Sequence, residues 1–205
     1  SRVLVQREIY DDFVAQFAAR AEKTTIGDPM DEGTRRGAIV SEEQLERVMG
    51  YVEAGKAEGA RLVAGGERAS VNGKGNFVKA TVFADVNHEM SIAREEIFGP
   101  VLTVYIYEDD DFEEVLGICD KASPYALTGS IFSSSEENVQ KAYEALRFTA
   151  GNFYINDKPT GAVVAQQPFG GARASGTNDK AGGPLNLLRW ISPRSVKRTL
   201  DIPQD

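Results

Sequence analysis

The sequence predicts an α/β fold with a largely parallel sheet flanked by helices. Short runs rich in β-branched and aromatic residues alternate with longer segments whose apolar residues recur at i, i+3, i+4 and i+7. The segments between them contain Gly, Asp and Pro, which favour turns. With 205 residues, of which 41% are hydrophobic and 26% charged, the chain has the composition of an ordinary soluble globular protein.

The amino-terminal segment predicts a strand followed by an amphipathic helix. Residues 3–5 (VLV) form a short apolar run that is typical of a strand. Residues 8–23 (EIYDDFVAQFAARAEK) then place apolar side chains on one helical stripe, made of Ile9, Tyr10, Phe13, Val14 and Phe17. We expect the helix to end before IGDPMDEGT, where Gly, Asp and Pro occur together.

A second helix and two strands are predicted next. Ser41 is a suitable N-cap, because its hydroxyl can accept a backbone N–H and two glutamates follow it in the first turn. The helical stripe after it consists of Leu45, Val48, Met49 and Val52. Residues 60–64 (ARLVA), closed by two glycines, and residues 76–83 (NFVKATVF) are predicted to be strands.

The second half of the chain continues the alternation. Strands are predicted at residues 101–107, 127–132 and 152–156. The helices between them have apolar stripes made of Phe112, Val115, Leu116 and Cys119, and of Val139, Ala142, Tyr143 and Leu146. The tail differs, because Pro193 stops any helix, and residues 195–200 (SVKRTL) predict an edge strand that reaches away from the core.

Composition excludes several classes of function. A net charge of -8 argues against nucleic acid and anionic membranes as partners. One histidine and one cysteine cannot form a zinc or iron site of ordinary ligand spacing, so no metal is expected. His88, in DVNHEM, is predicted to be a solvated loop residue. Cys119 completes an apolar stripe, so it is predicted to be a buried structural thiol rather than a nucleophile.

Two candidate binding segments remain. In AREEIFGPV, residues 93–101, the acids Glu95 and Glu96 form either a solvated acidic loop or a carboxylate site for ribose hydroxyls. In TGAVVAQQPFGGARASG, residues 160–176, the glycines serve turns, a phosphate cradle or a nest of backbone amides for a carboxylate. The phosphate cradle is disfavoured, because neither G-x-x-x-x-G-K-[ST] nor G-x-G-x-x-G occurs there.

Three motifs resemble those of the aldehyde dehydrogenase superfamily. EEIFGPVLTVYIYEDD is followed by SPYALTGSIFS and then by PFGG. The longer run GNFYINDKPTGAVVAQQPFGGARASGTNDKAGGPLNLLRW resembles the L-glutamate γ-semialdehyde dehydrogenases, also called Δ1-pyrroline-5-carboxylate dehydrogenases. SRVLVQREIYDDF at the start also fits this family, so the resemblance covers nearly all of the chain. Ala165 departs from the pattern, because glycine is expected before QQPF.

The resemblance implies the place of this chain in a longer enzyme. In the family the nucleophilic cysteine lies a few residues before SRV, so it is expected just upstream of Ser1. The general-base glutamate and most of the nucleotide-binding domain are also expected upstream. Residues 1–190 would then form most of the catalytic domain, with segments crossing toward the cofactor domain. Residues 191–205 would form an oligomerisation tail containing the predicted strand.

The resemblance also implies a reaction and its site residues. A cysteine thiolate adds to the aldehyde, hydride leaves to NAD, and water hydrolyses the thioester. Glu96 matches the carboxylate that holds the nicotinamide ribose, and Phe98 packs near that ribose. Gly161 and Ala162 match the loop whose amides bind the α-carboxylate of the substrate, and Phe169 matches the aromatic wall beside its aliphatic part.

The function expected from the sequence is therefore that of a C-terminal piece of an NAD-dependent semialdehyde dehydrogenase, inactive alone. Its substrate is expected to be glutamate γ-semialdehyde, oxidised to L-glutamate in proline catabolism. The complete enzyme is expected to be a homo-oligomer, cytoplasmic in a bacterium or in the mitochondrial matrix of a eukaryote. Two alternatives stay open: a non-catalytic aldehyde-dehydrogenase-like binding or assembly module, and a dehydrogenase for another semialdehyde.

Overall fold

A computed structural model describes residues 1–159, 162–163 and 165–201, and it divides the chain into two compact units. The first unit is Ser1–Ser123 and the second is Pro124–Asp205. Each unit has its own strands and helices and is described by itself. Among the described residues, no helix has the length and apolar character required to cross a bilayer.

The first unit contains a four-stranded mixed sheet. The strands of the unit, in chain order, are β1 (Arg2–Gln6), β2 (Arg61–Ala64), β3 (Arg68–Val71), β4 (Lys74–Val78), β5 (Thr81–Val86) and β6 (Val101–Tyr107), of which β3 and β4 form a separate two-stranded sheet. The sheet has the order β1-β6-β5-β2, in which β1, β6 and β5 are parallel and β2 is antiparallel to β5. The predicted α/β class is confirmed, with a mixed rather than a purely parallel sheet.

Helices cover both faces of this sheet. The unit has four of them, α1 (Arg7–Glu22), α2 (Glu42–Ala57), α3 (Ser91–Arg94) and α4 (Phe112–Lys121). Val82 and Ala84 of β5 belong to one apolar cluster with α1, whereas Phe83 belongs to a second cluster with α2 and α3. Alternate side chains of a strand point to opposite faces, so the two clusters form separate cores on the two sides of the sheet.

The predicted helices of this unit are confirmed with few differences. The hydroxyl of Ser41 accepts the backbone N–H of Gln44 at 3.2 Å, as expected of an N-cap. Tyr10 and Val14 are buried, but Ile9 is exposed because it lies at the edge of the apolar stripe of α1.

The prediction of one strand over residues 76–83 was wrong. The run is divided at Lys79 between β4 and β5, which have different partners. β4 forms a hairpin with β3 through a turn at Asn72 and Gly73, both of which have a positive φ. The sequence Asn-Gly predicts such a hairpin. Residues 76–83 are rich in strand-forming residues throughout, so the sequence did not show where the pairing partner of the chain changes.

Among its described residues, the second unit contains two small sheets and two α-helices, the second of which runs on into a 3-10 turn at Leu188–Trp190. Its elements are β7 (Tyr125–Ala126), β8 (Thr128–Ile131), α5 (Glu136–Ala145), β9 (Asn152–Ile155), β10 (Ala172–Arg173) and α6 (Pro184–Leu187). β8 and β9 are parallel, and β10 is antiparallel to β7. The helix α5 buries Val139 and Ala142, whereas Tyr143 stays exposed and contacts the ring of Phe153 edge-on.

The predicted strand at residues 195–200 is not formed within this chain. Residues 191–201 lie outside helices and strands and are exposed, Val196 and Leu200 among them. A strand requires a backbone partner, and the described residues offer none to this segment. The oligomerisation role of the tail, and the division of the chain at residue 190, stay predictions.

Candidate active-site segments

The acidic segment at residues 95–100 joins α3 to β6 and is fixed at both ends. The backbone N–H of Glu95 donates to the carbonyl of Ser91 at 2.9 Å, which closes α3. The side chain of Ile97 is buried in the core shared with α2. The carbonyl of Pro100 accepts the N–H of Thr81 at 2.9 Å, which ties the end of the segment to β5.

Side chains of α2 hold the carbonyl groups of this segment. The Gln44 amide nitrogen donates to the carbonyls of Ile97 and Phe98, both at 3.0 Å. The Arg47 guanidinium donates to the carbonyl of Glu96 at 3.3 Å. Residues three apart on a helix share a face, so one side of α2 presents both donors to the segment.

The same face of α2 packs closely against the end of the segment. A Cβ built on Gly99 would lie 2.5 Å from the Cγ2 atom of Val48, so a larger residue would displace the helix or the loop. Phe98, before it, has a φ of 56°, a left-handed conformation that costs a bulky residue about 1–2 kcal/mol. Its side chain is 75% exposed, so burial of the ring within this chain does not offset that cost.

The two acids of the segment have different surroundings. The Tyr51 hydroxyl donates to the carboxylate of Glu95 at 2.6 Å, and this hydrogen bond raises the pKa of Tyr51. The carboxylate of Glu96 is exposed, and no residue that the structure describes donates a hydrogen bond to it. The structure therefore leaves the acceptor atoms of Glu96, rather than those of Glu95, available to a ligand.

The amino end of β1 lies beside the same segment. The N–H of Thr103 donates to the carbonyl of Ser1 at 3.0 Å, and the Arg2 guanidinium donates to the carbonyl of Ala93 at 3.1 Å. The amino end of β1 is thus bonded to both elements that the acidic segment joins, α3 and β6.

The second predicted segment contains a tight turn. The carbonyl of Val163 accepts the N–H groups of Gln166 and Gln167 at 3.0 and 2.9 Å. Ala165, within the turn, has a φ of 67°, which is the conformation that glycine adopts without strain. The expectation of glycine at this position thus has a physical basis. Ala162 is half-buried, and Gly161 lies outside the described residues.

Phe169 lies after this turn and is half-buried. Its backbone N–H donates to the carbonyl of Ala181 at 2.8 Å, as part of an isolated antiparallel bridge. Glu96 and Phe98 thus belong to the first unit, whereas Ala162 and Phe169 belong to the second.

His88 has the exposed loop position predicted for it, whereas Cys119 is half-buried rather than fully buried. Cys119 is a half-buried residue of α4, and burial raises the pKa of its thiol, which disfavours the nucleophilic thiolate. His88 lies in an exposed loop with its Nε2 atom 3.1 Å from the carboxylate of Glu89.

Sequence reasoning missed the residues that support the acidic segment. Gln44, Arg47 and Tyr51 recur at i, i+3 and i+7 on α2, so their polar helical face was a detectable signal. What they contact was not detectable, because the segment that they hold lies about 50 residues further along the chain.

The parallel strands with helices on both faces, together with the Glu-Glu-Ile-Phe-Gly-Pro segment, define the class of protein. The sequence profile of the aldehyde dehydrogenase family matches residues 1–196. The chain belongs to the aldehyde dehydrogenase family.

Individual relatives show which members of the family this chain resembles. The mitochondrial Δ1-pyrroline-5-carboxylate dehydrogenase of Dictyostelium discoideum is 46% identical over 198 residues, which are 96% of this chain and 35% of the relative. The human mitochondrial enzyme of the same name is 40% identical over 200 residues, 97% of this chain and 35% of the relative.

A solved structure agrees with these relatives. The Δ1-pyrroline-5-carboxylate dehydrogenase of Mycobacterium tuberculosis, crystallised with NAD and cobalamin, is 39% identical and superposes with a TM-score of 0.86. The superposition covers 100% of this chain and 38% of that protein. The chain therefore spans only about a third of the length of the relatives that it matches.

Proposed function

We propose that this chain is the C-terminal part of an NAD-dependent L-glutamate γ-semialdehyde (1-pyrroline-5-carboxylate) dehydrogenase. The complete enzyme would oxidise the semialdehyde to L-glutamate in proline catabolism. The observation that carries the proposal is the available carboxylate of Glu96 on a loop held by α2. It occurs in a chain whose relatives are named as dehydrogenases of this substrate.

The loop that contains Glu96 fits the ribose of a nicotinamide nucleotide. A ribose offers two hydroxyl donors, and an ionised carboxylate offers acceptors only, so the two groups are complementary. The exposed ring of Phe98 provides an apolar surface two residues away. NAD accepts the hydride in this chemistry. The role of Glu96 is to hold the ribose, and the role of Phe98 is to pack beside it.

The reacting cysteine would precede Ser1. The position of β1 supports this, because Ser1 and Arg2 are bonded to the two elements that flank the Glu96 loop, so a nucleophile a few residues upstream would start close to that loop. The raised pKa of Cys119 supports it too, since the one cysteine of this chain favours the unreactive thiol. We expect the 205-residue chain by itself to give no NAD reduction with glutamate semialdehyde.

The second unit would bind the carboxylate end of the substrate. Backbone amides of Gly161 and Ala162 would hold the α-carboxylate, which they can do without placing a charged side chain near the thiolate. Phe169 would pack against the aliphatic part of the substrate. The half-buried position of Ala162 and the turn that follows it support this role, and the share of Gly161 rests on the resemblance alone.

The proposal extends to assembly and location. The complete enzyme would be a homo-oligomer in which the exposed apolar residues of the tail, such as Val196 and Leu200, take part. It would act in the mitochondrial matrix of a eukaryote or in the cytoplasm of a bacterium, with a small-molecule substrate and neither nucleic acid nor membrane as partner.

The test is an NADH absorbance assay on the complete enzyme that contains this chain. We expect the highest kcat/KM with glutamate γ-semialdehyde and a much lower value with propanal, which has no carboxylate. Higher kcat/KM with succinic semialdehyde would favour the alternative of a different semialdehyde dehydrogenase. No NAD reduction with any of the three aldehydes would favour the non-catalytic binding or assembly module. The isolated chain is the negative control.

A further inference from the structure

The side chain of Asn152 bonds to the residues on both sides of Phe169. Its amide nitrogen donates to the carbonyl of Pro168 at 3.0 Å. Its amide oxygen accepts the backbone N–H of Gly170 at 3.2 Å. One side chain therefore holds the main chain immediately before and after the phenylalanine.

Asn152 is itself fixed by the sheet. It is the first residue of β9 and pairs with Thr128 of the parallel strand β8. Its backbone N–H donates to the carbonyl of Leu127 at 3.0 Å, and that of Gly151 donates to Ala126 at the same distance. The amide that holds the 168–170 segment thus projects from a hydrogen-bonded strand rather than from a loop.

The main chains of the two segments approach each other closely. A Cβ built on Gly151 would lie 1.9 Å from the carbonyl oxygen of Gly170, so only glycine fits there. The Lys180 ammonium donates to the carbonyl of Gly151. Together with the bond from Phe169 to Ala181, these contacts leave the backbone around the aromatic ring little freedom.

We propose that Asn152 is a positioning residue, which sets the place of the Phe169 ring and thereby the fit of the aliphatic part of the substrate. This inference rests on the proposed function, in which Phe169 lines the substrate site. The chemistry requires an amide, because the side chain must donate to one peptide group and accept from another. Aspartate has nearly the same shape, but it cannot donate to Pro168 when it is ionised.

Asn156, which directly follows the last residue of β9, provides a matched control. Its amide nitrogen donates to the carbonyl of Ser133 at 3.0 Å, and its oxygen accepts the N–H of Ser133 at 2.9 Å. The bonding pattern of Asn156 is therefore like that of Asn152, but it holds a residue distant in sequence from Phe169. Aspartate at either position removes the hydrogen bond that the amide nitrogen donates to a backbone carbonyl.

The test compares Asn152→Asp, Asn156→Asp and Phe169→Leu in the complete enzyme. We expect Asn152→Asp to raise the KM for glutamate semialdehyde about fivefold, the effect of one lost neutral hydrogen bond, with the KM for NAD unchanged. Asn156→Asp is expected to change neither KM, whatever its effect on stability. Equal increases of the KM for glutamate semialdehyde in both asparagine variants would overturn the proposal, because they would show that Asn152 has a merely structural role.

The Phe169→Leu variant separates this inference from the proposed function. A raised KM in Phe169→Leu with an unchanged KM in Asn152→Asp would overturn the positioning role alone. An unchanged KM in Phe169→Leu would overturn the substrate contact of Phe169 and, with it, the inference.

A second measurement does not depend on turnover. Hydrogen exchange of the Gly170 amide reports directly on its bond to Asn152. The variant for this measurement is Asn152→Ser, which replaces the amide side chain by a shorter one and also serves if Asn152→Asp does not fold. We expect faster exchange of the Gly170 amide in this variant and no difference at the Ser133 amide. Unchanged exchange at Gly170 would overturn the proposal.

Discussion

The hydroxyl of Tyr51 donates to the carboxylate of Glu95 at 2.6 Å, and this bond distinguishes two adjacent acids that look equivalent in the sequence. Glu95 is joined to α2, whereas the carboxylate of Glu96 takes no hydrogen bond from the part of the chain that the structure describes. A ligand that needs acceptor oxygens would therefore meet Glu96. The family resemblance assigns the cofactor role to the same residue.

Three residues on one face of α2 hold this loop in place. Gln44 and Arg47 bind its carbonyls, and Tyr51 binds its first carboxylate. These contacts are partly exposed, so each contributes only modestly to the free energy of unfolding. Their combined effect is to fix the backbone on which Glu96 and the strained Phe98 stand.

The substrate loop is tested by Ala162→Leu in the complete enzyme. The added bulk at a half-buried site should push the loop away, and we expect the KM for glutamate semialdehyde to rise about tenfold. The control is Val163→Leu, at an exposed neighbour where extra volume meets solvent. Steady-state kinetics with NAD held saturating measures both; equal KM values in the two variants would exclude a specific anchor at Ala162.

The close approach beside β9 predicts a large effect of Gly151→Ala on stability. The new Cβ would overlap the carbonyl oxygen of Gly170, and we expect the free energy of unfolding to fall by about 1–3 kcal/mol. Gly129→Ala, in the paired strand β8, is the control, because its Cβ would meet only Ala150 at 3.6 Å. Urea denaturation compares them, and equal midpoints would contradict the described packing.

The left-handed turn predicts that Ala165→Gly stabilises the chain. Glycine removes about 1–2 kcal/mol of backbone strain but adds entropy to the unfolded chain, so we expect a net gain of about 0.5–1 kcal/mol. Ala174→Gly, at an exposed turn alanine, should instead lose stability because no positive φ is relieved. Thermal unfolding of both variants is the measurement. A loss of stability in both variants would argue against the left-handed turn at Ala165.

An ion-pair network joins α1, β2 and β5 at Asp85. The Tyr10 hydroxyl donates to its carboxylate at 2.7 Å, and the Arg61 guanidinium donates to it at 2.6 Å. The bond from Arg61 holds the pKa of Asp85 below its ordinary value; burial opposes this, and Tyr10 adds to it. A lowered carboxyl pKa stabilises the fold above the unfolded pKa of about 4, and that contribution is lost as pH falls through the folded pKa.

Asp85→Asn tests this network. Asparagine tolerates the φ of 55° and can still accept from Tyr10, but its amide nitrogen faces Arg61. We expect a loss of about 1 kcal/mol at neutral pH, allowing for screening of a half-exposed pair. The difference from the unmodified chain should shrink below about pH 4. Chemical denaturation at several pH values measures it, and a pH-independent difference would refute the charge contribution.

Much of the first unit was predictable because its patterns are local. Val101–Tyr107 has the predicted bounds, since seven consecutive β-branched, aromatic or apolar residues follow a Gly-Pro turn. Ser41 caps its helix as predicted, because a cap depends on residues within one turn. The run at residues 76–83 was predicted as one strand because propensity does not reveal that Lys79 separates two pairing partners.

The sequence named candidate site residues, whose roles stay predictions, but it did not reveal the residues that support them. Motif resemblance pointed to Glu96 and Phe169 by number. The contacts of Tyr51 with Glu95 and of Asn152 with Gly170 join residues 44 and 18 positions apart, so no local pattern contains them. The predicted C-terminal strand is not formed within this chain, because strand propensity does not supply a partner, and its pairing in an oligomer stays a prediction.

The most direct test measures NAD binding in the complete enzyme with Glu96→Gln and Glu95→Gln. Each change removes one charge at neighbouring positions, so their general electrostatic effects are matched. We expect Glu96→Gln to weaken NAD binding about tenfold, as for a lost charge-assisted hydrogen bond, and Glu95→Gln to leave it nearly unchanged. Equal affinity in the two variants, or a larger loss in Glu95→Gln, would contradict the assignment of Glu96 as the ribose carboxylate.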